Sequence, residues 1–529
     1  MCRNDSAKST MIPTRQRRQK RDKEGQYVLL PSTKNTSSPS KKKKPKKQSK
    51  ALQKHGKNSQ SGGIEAMIPS LLGVGVLIFA VMAQRGFRGR ASVAGIDLGT
   101  TNSVICVQAQ SKAVGDIDCI EDPETGSPII PSVVAFLQPH ERKVGPSSKI
   151  KSLLIPHPSH VVVGQRAKHR IESHPHHTLY NAKRVLGRPI TDSAIADLRH
   201  EVEFQIEGAG HDNDDDTKTN EVVFRVDDFL IPPTQVGSYI VNHLIEITKA
   251  FLGHDNVHAA VLAVPAKFDA LQRQRTMEAF KNAGVQVARV LEEPVAAALA
   301  YGLQKKENVE KILVYDFGGG TLDVSILHVS EGFVDVMGND GDDRLGGADF
   351  DATVANLLAS RHEQVLKDLS SYNVDAEELA STCSEQTNKI PLCSISSFHT
   401  LGEQLKISLS QTAKTAHSTC LALPHAKSTD SNGHDTICDE LFKVPLQLSL
   451  EDYNESAKPL FDRSVLPITR LLQDLSLEPE EIDEIVMVGG TTRMPQIRAL
   501  VSKAFRNAQL NTHIDPDITV AYGAASVID

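Results

Sequence analysis

Two turns rich in glycine and threonine carry the residues best suited to chemistry. Residues 98–101 read LGTT and follow Asp97, and residues 317–321 read FGGGT and follow Asp316. Backbone N–H groups converge on a phosphate where glycine lets the main chain approach closely, and threonine hydroxyls add donors. Two carboxylates facing each other across a cleft would hold Mg²⁺ through its retained waters. The turns therefore predict a nucleotide-phosphate site with magnesium.

A third glycine-rich turn, Gly489 and Gly490, follows another buried strand pattern. A single Asp-x-Gly turn is more often structural, whereas three related turns in one chain favour the nucleotide interpretation. The chain has no GxxxxGK[ST] pattern, so the site is not a P-loop.

The elements that must position these turns alternate between strand and helix patterns. Strands are predicted at 92–97 and 103–108 around the first turn, and at 311–316 and 322–328 around the second. The two units share one design at a separation of 219 residues, so we expect two similar lobes. Strands at 259–264 and 485–488 lead into helices. Asp269 and Gln272 form a capping-box pattern at the first helix, and Pro495 lies in the first turn of the second, at 496–504.

Composition and charge exclude several classes of protein. The 529 residues are 40% hydrophobic and 23% charged, which is a globular composition and not that of a collagen, a coiled coil or a multi-span membrane protein. Residues 1–66 contain 18 Lys and Arg and 4 Asp and Glu, which gives this segment a charge of +14. Because the whole chain has a net charge of -6, residues 67–529 carry -20. An acidic body excludes nucleic acid as partner of the folded part, because phosphate-backbone binding needs a basic face. Seven cysteines without a CxxC pair argue against a zinc ribbon or thioredoxin-type motif.

The N-terminal region has two parts. Residues 1–66 are predicted to be a disordered basic tail, because such a polar stretch cannot bury enough apolar area to fold. Its lysine-rich run, 41–47, is either a nuclear-import or anionic-surface patch or, as we favour, a solvated tail beside a membrane segment. Residues 67–83 are an uncharged run of 17 residues, read as a signal sequence or signal anchor, with a buried core helix as the alternative. Small residues at 81–83 offer a cleavage site, and Met67 is an alternative start.

The basic flank before this segment keeps the tail cytosolic by the positive-inside rule and sends the body across the membrane. The expected location is the lumen of the endoplasmic reticulum, membrane-anchored or microsome-associated, with another organelle or the nucleus as the alternative. Residues 211–220 are acidic and predicted to be a surface loop. Residues 369–439 are rich in Ser, Thr and His, and the cysteines there either form lumenal disulfides or are incidental thiols: Cys383, Cys393, Cys420 and Cys438.

Eight motifs occur in order from residue 93 to the end of the chain. They are GIDLGTTN (95–102), NAKRVLGR (181–188), VPAKFDALQR (264–273), EPVAAA (293–298), DFGGGTLD (316–323), LGGADF (345–350), VGGTTRMP (488–495) and DPDITVAYG (515–523). Together they resemble the ATPase domain of the 70-kDa heat-shock protein family. The resemblance implies an α/β, actin-like ATPase fold with two lobes around a nucleotide cleft. Lobe I would comprise 93–306 with 511–529, and lobe II 307–510, with no peptide-binding domain.

The resemblance also implies roles for particular residues. Lys183 matches the family's catalytic lysine near the γ-phosphate, and Glu293 would order the waters of Mg²⁺. Asp97 and Asp316 would orient the metal and the attacking water, and Thr321 would bind phosphate. The implied nucleotide-binding residues are Gly99, Thr100, Thr101, Asn102, Gly318, Gly319, Gly320, Glu403, Lys406, Ser410, Gly489, Gly490, Thr491, Arg493 and Asp517. Arg493 would stack on the adenine. Pro265 and Arg273 would relay the nucleotide state to the lobe surface.

Several positions depart from the family pattern. Ile407 stands where most members have an arginine beside the adenine, and Glu292 and Val295 flank Glu293 where Asn and Thr are usual. The hydrophobic N-terminal segment, the aliphatic Ile407 and the end of the chain at Asp529 are similar to a microsome-associated branch that consists of the ATPase core alone.

The function implied is a magnesium-dependent ATPase that hydrolyses ATP to ADP slowly and supports protein folding or quality control in the secretory pathway. Co-chaperones or nucleotide-exchange factors are the expected partners, with a membrane contact through residues 67–83 if they are not cleaved. The alternative is a non-hydrolysing ATP sensor or scaffold. A small-molecule kinase is disfavoured because the motifs at 181–188 and 264–273 belong to the chaperone family.

Overall fold

A computed structural model describes residues 92–108, 117–138, 160–171, 173–209, 221–367, 393, 395–411, 414–422 and 442–528. The predicted basic tail, the segment 67–83, the loop 211–220, Cys383 and Cys438 lie outside these ranges. Within them, no helix combines the length and apolar character that crossing a membrane requires.

The described strands are, in chain order, β1 (Ser92–Leu98), β2 (Asn102–Gln108), β3 (Ile117–Cys119), β4 (Ile130–Pro131), β5 (Val134–Phe136), β6 (Val161–Val163), β7 (Thr178–Leu179), β8 (Gln205–Gly208), β9 (Val222–Val226), β10 (Phe229–Ile231), β11 (Val257–Val264), β12 (Gln286–Glu292), β13 (Lys311–Phe317), β14 (Leu322–Ser330), β15 (Phe333–Asp342), β16 (Thr415–Ala422), β17 (Phe442–Ser449), β18 (Glu484–Val488) and β19 (Gln509–Asn511). The described helices are α1 (Gln165–Lys168), α2 (Ser193–Glu201), α3 (Pro233–Leu252), α4 (Ala270–Asn282), α5 (Glu293–Ala300), α6 (Gly347–Lys367), α7 (Ile395–Gln411), α8 (Leu450–Ser456), α9 (Lys458–Ser464), α10 (Leu466–Leu475), α11 (Pro495–Ala504) and α12 (Thr519–Ser526).

Two large sheets repeat one design. The first has the order β12-β11-β1-β2-β3, with β4 attached to β2, and the second has the order β15-β14-β13-β18-β19. In each, a strand with aspartate as its penultimate residue turns back into an antiparallel partner and pairs on its other side with a parallel strand. We call the elements packed around the first sheet the first lobe, and those around the second sheet the second lobe. The repeated strand–turn–strand unit predicted from the sequence is confirmed.

The local elements follow their sequence patterns closely. The strands around the two predicted turns begin and end within two residues of the expected positions. Asp269 caps α4 by accepting a hydrogen bond from the Gln272 backbone N–H, and the Gln272 side chain accepts one in return. This capping box satisfies donors that the first helical turn would otherwise leave unpaired. Pro495 begins α11, as expected.

Each lobe has its own hydrophobic core, and a further apolar cluster lies where the two sheets come together. There, Ala296 of α5 shares the cluster with Val314 and Val486 of the second sheet. Helix α12 packs against α5 and β1 at very short range. A Cβ atom on Gly523 would lie 1.8 Å from the Ala296 carbonyl oxygen, and one on Gly95 would lie 2.2 Å from the Ala525 nitrogen. Glycine at these two positions is what lets the backbones meet.

Disulfides occur in both lobes. Cys106 of β2 is bonded to Cys119 of β3 in the first lobe, and Cys393 is bonded to Cys420 of β16 in the second. Of the cysteines considered from the sequence, Cys393 and Cys420 are therefore paired in this structure. The polar stretch that holds them also contains the regular elements α7 and β16.

Candidate functional site

A buried cluster of charges lies between the two lobes. Lys183 Nζ donates a hydrogen bond to Glu293 Oε1 at 2.7 Å and lies 4.0 Å from Asp97 Oδ1. The exposed fraction of the side chain is 8% for Lys183 and 13% for Glu293. Asp316, although more distant, influences the pKa of Lys183. The structure thus brings together the residues predicted to act in catalysis from four separate segments of the chain.

Local structure fixes each member of this cluster. Asp97 is the penultimate residue of β1, and Asp316 holds the equivalent position in β13. Glu293 is the first residue of α5, where Pro294 occupies the first turn. Lys183 lies in a short 3₁₀ turn that begins after Asn181, whose φ of 59° places it in the left-handed region. Asparagine tolerates that conformation better than most residues.

The carboxylates of the cluster are more than the lysine can neutralise. Burial raises the pKa of Asp97 to about 7; Lys183 lowers it, while Glu293 and Asp517 raise it further. Burial and the neighbouring Glu293 carboxylate hold the pKa of Asp316 well above its usual value. Burial alone would lower the pKa of Lys183, but Glu293 and Asp97 outweigh it, so the net shift is upward. Lys183 therefore remains protonated, and this single cation cannot keep all three carboxyl groups ionised.

This excess of carboxyl groups over the one lysine fits a hydrated divalent cation, which would favour their ionised forms. Asp97 Oδ1 is buried and accepts no hydrogen bond from any residue that the structure describes. An orphaned carboxylate oxygen is costly unless a cation or its waters satisfy it. In the described ranges, no three Asp, Glu, His or Cys residues are grouped as direct ligands of one metal ion. The residues that would hold Mg²⁺, mainly through its waters, remain Asp97, Glu293 and Asp316.

The phosphate-binding turns predicted from the sequence meet at the cleft. Gly99, Thr100 and Thr101 connect β1 to β2, which begins at Asn102, and Gly318, Gly319, Gly320 and Thr321 connect β13 to β14. A Cβ atom on Gly319 would lie 2.9 Å from Thr101 Oγ1, so the turns of the two lobes are in close contact. A Cβ atom on Gly346 would approach Gly319 and Gly320 to 2.4 Å, which explains why the LGGADF motif (345–350) has glycine at this position.

The third turn contacts the second one. Thr491 Oγ1 donates a hydrogen bond to the Gly318 carbonyl oxygen at 2.9 Å. Gly489 has a φ of 80°, and a Cβ atom there would lie 2.4 Å from the Phe317 carbonyl oxygen. A Cβ atom on Gly490 would lie 3.1 Å from Asp517 Oδ1. Glycine is therefore required for close backbone packing at this turn.

Glu403, Lys406 and Ser410, which the resemblance assigns to nucleotide binding, each have a polar contact on α7 or next to it. Lys406 Nζ lies 2.7 Å from Asp351 Oδ1 and donates to the Gly347 carbonyl oxygen at 3.2 Å. Ser410 Oγ donates to the Lys406 carbonyl oxygen at 2.8 Å, and Glu403 lies 3.9 Å from Lys168 Nζ of the first lobe. All three residues lie on α7, and their role in nucleotide binding stays a prediction. Ile407, on the same helix, is 47% exposed.

Arg493 makes ion pairs that the sequence did not indicate. Its Nη2 atom donates to Asp517 Oδ2 at 2.7 Å, and it also contacts Asp515. The guanidinium would have to keep or exchange these partners while it stacks on an adenine, so its predicted role stays a prediction. Asp517 is next to Gly490, as its assignment to the nucleotide site requires.

The relay residues lie at the two ends of the loop between β11 and α4: Pro265 follows β11, and Arg273 is in the first turn of α4. Pro265 accepts a hydrogen bond from the Phe268 N–H through its carbonyl oxygen at 3.1 Å. Arg273 donates to the carbonyl oxygens of Ala266 and Phe268 at 3.1 and 3.0 Å, and pairs with Glu292 Oε1 at 2.8 Å. The unusual Glu292 is thus the partner of the relay arginine.

Two further charged residues at the cleft had no role from sequence reasoning. Lys267 Nζ lies 2.9 Å from Asp323 Oδ1 and also contacts Asp343. Lys267 and Asp323 line a pocket with Pro265, Glu293 and Asp316. Both lie inside motifs that carry the family resemblance, at 264–273 and 316–323. Membership of these motifs was the signal in the sequence that could have pointed to them. Their pairing across the cleft could not be read from it.

Comparison with known proteins agrees with this geometry. The family model described as "Hsp70 protein" matches residues 93–157 and 156–528. The chain is 36% identical over 434 residues to "Chaperone protein DnaK" of Prochlorococcus marinus (strain MIT 9515), covering 82% of this chain and 58% of that one. It is 32% identical over 435 residues to "Iron-sulfur cluster biogenesis chaperone, mitochondrial" of Saccharomyces cerevisiae (strain ATCC 204508 / S288c), with the same coverage, 82% and 58%. It is 34% identical over 433 residues to "Chaperone protein dnaK3" of Synechocystis sp. (strain ATCC 27184 / PCC 6803 / Kazusa), covering 82% and 48%.

Fold and site define an actin-like ATPase domain, with two lobes around a nucleotide cleft. The chain belongs to the Hsp70 family of chaperones. It spans about half to three fifths of the length of the relatives it matches, 48% to 58%.

Proposed function

We propose that this protein is a magnesium-dependent ATPase that binds ATP and hydrolyses it slowly to ADP. The observation that carries the proposal is the buried cluster in which Lys183 contacts Glu293 at 2.7 Å and lies within 4.0 Å of Asp97. A protonated lysine at the mouth of three glycine-rich turns is suited to stabilise the charge on a transferred phosphoryl group.

The chain's own residues supply positioning and charge. The turns 98–102 and 317–321 would bind phosphate oxygens through backbone N–H groups, and Thr321 would add its hydroxyl donor. Mg²⁺, when bound with ATP, would neutralise phosphate charge. The carboxylate of Asp97 or Asp316, once deprotonated, would orient the attacking water. Lys183 would hold the γ-phosphate in place in the cleft.

The proposal is tested by single-turnover hydrolysis of γ-labelled ATP by the full chain, with Mg²⁺ or with excess EDTA. Phosphate release is expected only with Mg²⁺, and the Lys183→Ala variant is expected to lose on the order of 10²-fold or more in rate while still binding nucleotide. Lys458→Met, which removes an exposed ion pair with Asp462, is the matched control and should keep the wild-type rate. Release that persists in EDTA or in the Lys183 variant would overturn the assignment.

A non-hydrolysing ATP sensor is the second candidate. The observation that favours it is the pKa of Asp97, raised to about 7, because a carboxyl that is partly protonated at neutral pH is a weaker aid to an attacking water. Tight binding of Mg²⁺ and ATP without phosphate release, across pH 6 to about 8.5, would select the sensor.

We further propose that the protein acts in protein folding or quality control in the secretory pathway, with co-chaperones or nucleotide-exchange factors reading its lobes. The disulfides Cys106–Cys119 and Cys393–Cys420 support an oxidising compartment, and the uncharged segment 67–83 supports a lumenal route. This is the placement of the microsome-associated branch that the sequence resembles. Protease protection of the body in isolated microsomes tests it, and digestion without detergent would point to another organelle or the nucleus.

A further inference from the structure

The loop between β11 and α4 presents two neighbouring side chains to different parts of the cleft. The Phe268 ring lies under Lys183 Nζ, at 5.8 Å from the ring centroid. Lys267 extends instead to the second lobe, where Nζ lies 2.9 Å from Asp323 Oδ1 and also contacts Asp343. One short loop therefore contacts both the candidate catalytic lysine and the opposite lobe.

Asp323 is well placed to pass this contact on to the phosphate-binding turn. It is the strand partner of Asp316 across β13 and β14. It also accepts a hydrogen bond from Thr321 Oγ1 at 3.3 Å, at the end of the turn 317–321. The position of Asp323 is thus coupled to two residues of the candidate site, one through the sheet and one through a side-chain hydrogen bond.

The first-lobe end of this contact is also rigid. Arg273 donates to the carbonyl oxygens on both sides of Lys267, those of Ala266 and Phe268. The side chains of Lys267 and Asp323 are 31% and 30% exposed, so water screens their attraction only in part. A displacement of one lobe would therefore strain this contact, because the loop has little freedom to follow.

We propose that Lys267 is a positioning residue whose ion pairs with Asp323 and Asp343 form a latch that holds the turn 317–321 against the first lobe and slows nucleotide release. The latch is defined as these three side chains. Its effect on hydrolysis rests on the proposed function, whereas its effect on the order of the turn does not.

Another ion pair between the lobes provides a matched control. Arg344 Nη2 lies 2.5 Å from Asp197 Oδ2, and the Arg344 side chain is well exposed. Asp197 belongs to α2 and not to the loop that approaches Lys183. Arg344→Met removes a cation that bridges the lobes without removing a contact to Asp323, so it separates a general loosening of the lobes from loss of the latch.

The first experiment needs no nucleotide. Hydrogen–deuterium exchange of the full chain reports on residues 316–323, where the Gly318 amide is hydrogen-bonded to the Thr321 carbonyl oxygen at 3.0 Å. Lys267→Met is expected to speed exchange there by about fivefold, the effect expected for a partly exposed ion pair. Lys267→Arg should retain most of the protection, and Arg344→Met should leave this segment unchanged. Equal exchange in Lys267→Met and wild type would overturn the latch.

The second experiment follows release of a fluorescent ADP analogue, with Mg²⁺ present. Lys267→Met is expected to release it about fivefold faster, and in an Asp323→Asn/Asp343→Asn background the same change should have an effect of less than about twofold. An undiminished effect in that background would show that Lys267 acts through other contacts. In steady-state assays, Lys267→Met should change kcat more than KM.

These readouts separate the two proposals. A wild-type chain that binds the analogue but releases no phosphate contradicts the ATPase assignment, while exchange and release still decide on the latch. Active hydrolysis with normal exchange and release in Lys267→Met rejects the latch and leaves the ATPase assignment intact.

Discussion

Asp97 carries the clearest electrostatic signature in the protein. Its carboxylate is buried next to Glu293, and its Oδ1 atom accepts no hydrogen bond within the described ranges. Ionising Asp97 in such an environment costs free energy, and a bound cation would offset that cost. We therefore regard the site as preorganised for charge that the chain itself does not supply.

This environment predicts a pH-dependent stability. Because the pKa of Asp97 is raised from 3.8 to about 7 on folding, its favourable contribution is complete below 3.8 and is lost as pH rises through about 7. Asp97→Asn should therefore raise the melting temperature of the nucleotide-free chain in EDTA most at pH 8, and by a smaller amount at pH 5, where only part of the contribution of Asp97 has been lost. Thermal unfolding at pH 5, 6, 7 and 8 measures the difference.

The control for this prediction is Asp462→Asn, which changes a carboxylate that is 63% exposed. It should give a difference that does not grow with pH through this window. A gain from Asp97→Asn that is the same at pH 5 and pH 8 would contradict the predicted protonation of Asp97.

At the scale of elements, the contact of α12 with α5 and β1 links the end of the described chain to the site. Helix α5 begins with Glu293, and β1 contains Asp97. Glycine at positions 95 and 523 allows these backbones to pack without side chains between them. Any change that pushes α12 away should therefore also disturb the charges in the cleft.

Gly523→Ala tests this packing. The new Cβ atom would start 1.8 Å from the Ala296 carbonyl oxygen, so the backbone must shift. We expect a loss of about 3 kcal/mol in the free energy of unfolding, which exceeds the gain of about 1 kcal/mol from helix propensity. Denaturant unfolding of the nucleotide-free chain measures it.

Gly253→Ala is the comparison for that measurement. Gly253 has a φ of 70° and nothing lies within 4 Å of a Cβ built there, so only backbone strain of about 1 to 2 kcal/mol is expected. If the two variants lose the same stability, the close approach of α12 and α5 is not the cause.

At the scale of the whole molecule, each lobe carries a covalent link near its sheet. Cys106–Cys119 joins two strands of the first lobe, and Cys393–Cys420 ties the segment before α7 to β16 of the second. Neither bond crosses the cleft. The lobes can therefore be stabilised individually while their relative movement is left to polar contacts such as the latch.

Chain-entropy estimates make each disulfide worth about 3 kcal/mol, because the loops closed span 13 and 27 residues. We expect mass spectrometry of non-reduced peptides to find these two links, and a reductant to lower the melting temperature. The Cys106→Ala/Cys119→Ala double variant should lose part of that sensitivity. Ready alkylation of all four thiols in the native, oxidant-exposed chain would contradict the prediction and weaken the lumenal proposal.

The sequence predicted a large part of the fold because its signals are local. Asp269 and Gln272 lie three residues apart, so their capping box is visible in the sequence, and the strand–turn–strand units around Asp97 and Asp316 are equally local. The family motifs added Lys183 and Glu293, whose 2.7 Å contact joins residues 110 positions apart. No periodicity indicates such a contact.

What the sequence by itself determined was the strand–turn–strand units around Asp97 and Asp316, two strand-to-helix units, the three glycine-rich turns and the chemistry their residues could support. The tertiary structure alone decided which charges meet: Lys267 with Asp323, Arg493 with Asp517, and Asp97 with the largely buried Lys183. The physical reason is that backbone conformation depends on neighbours along the chain, whereas ion pairing and burial depend on segments that only folding brings together.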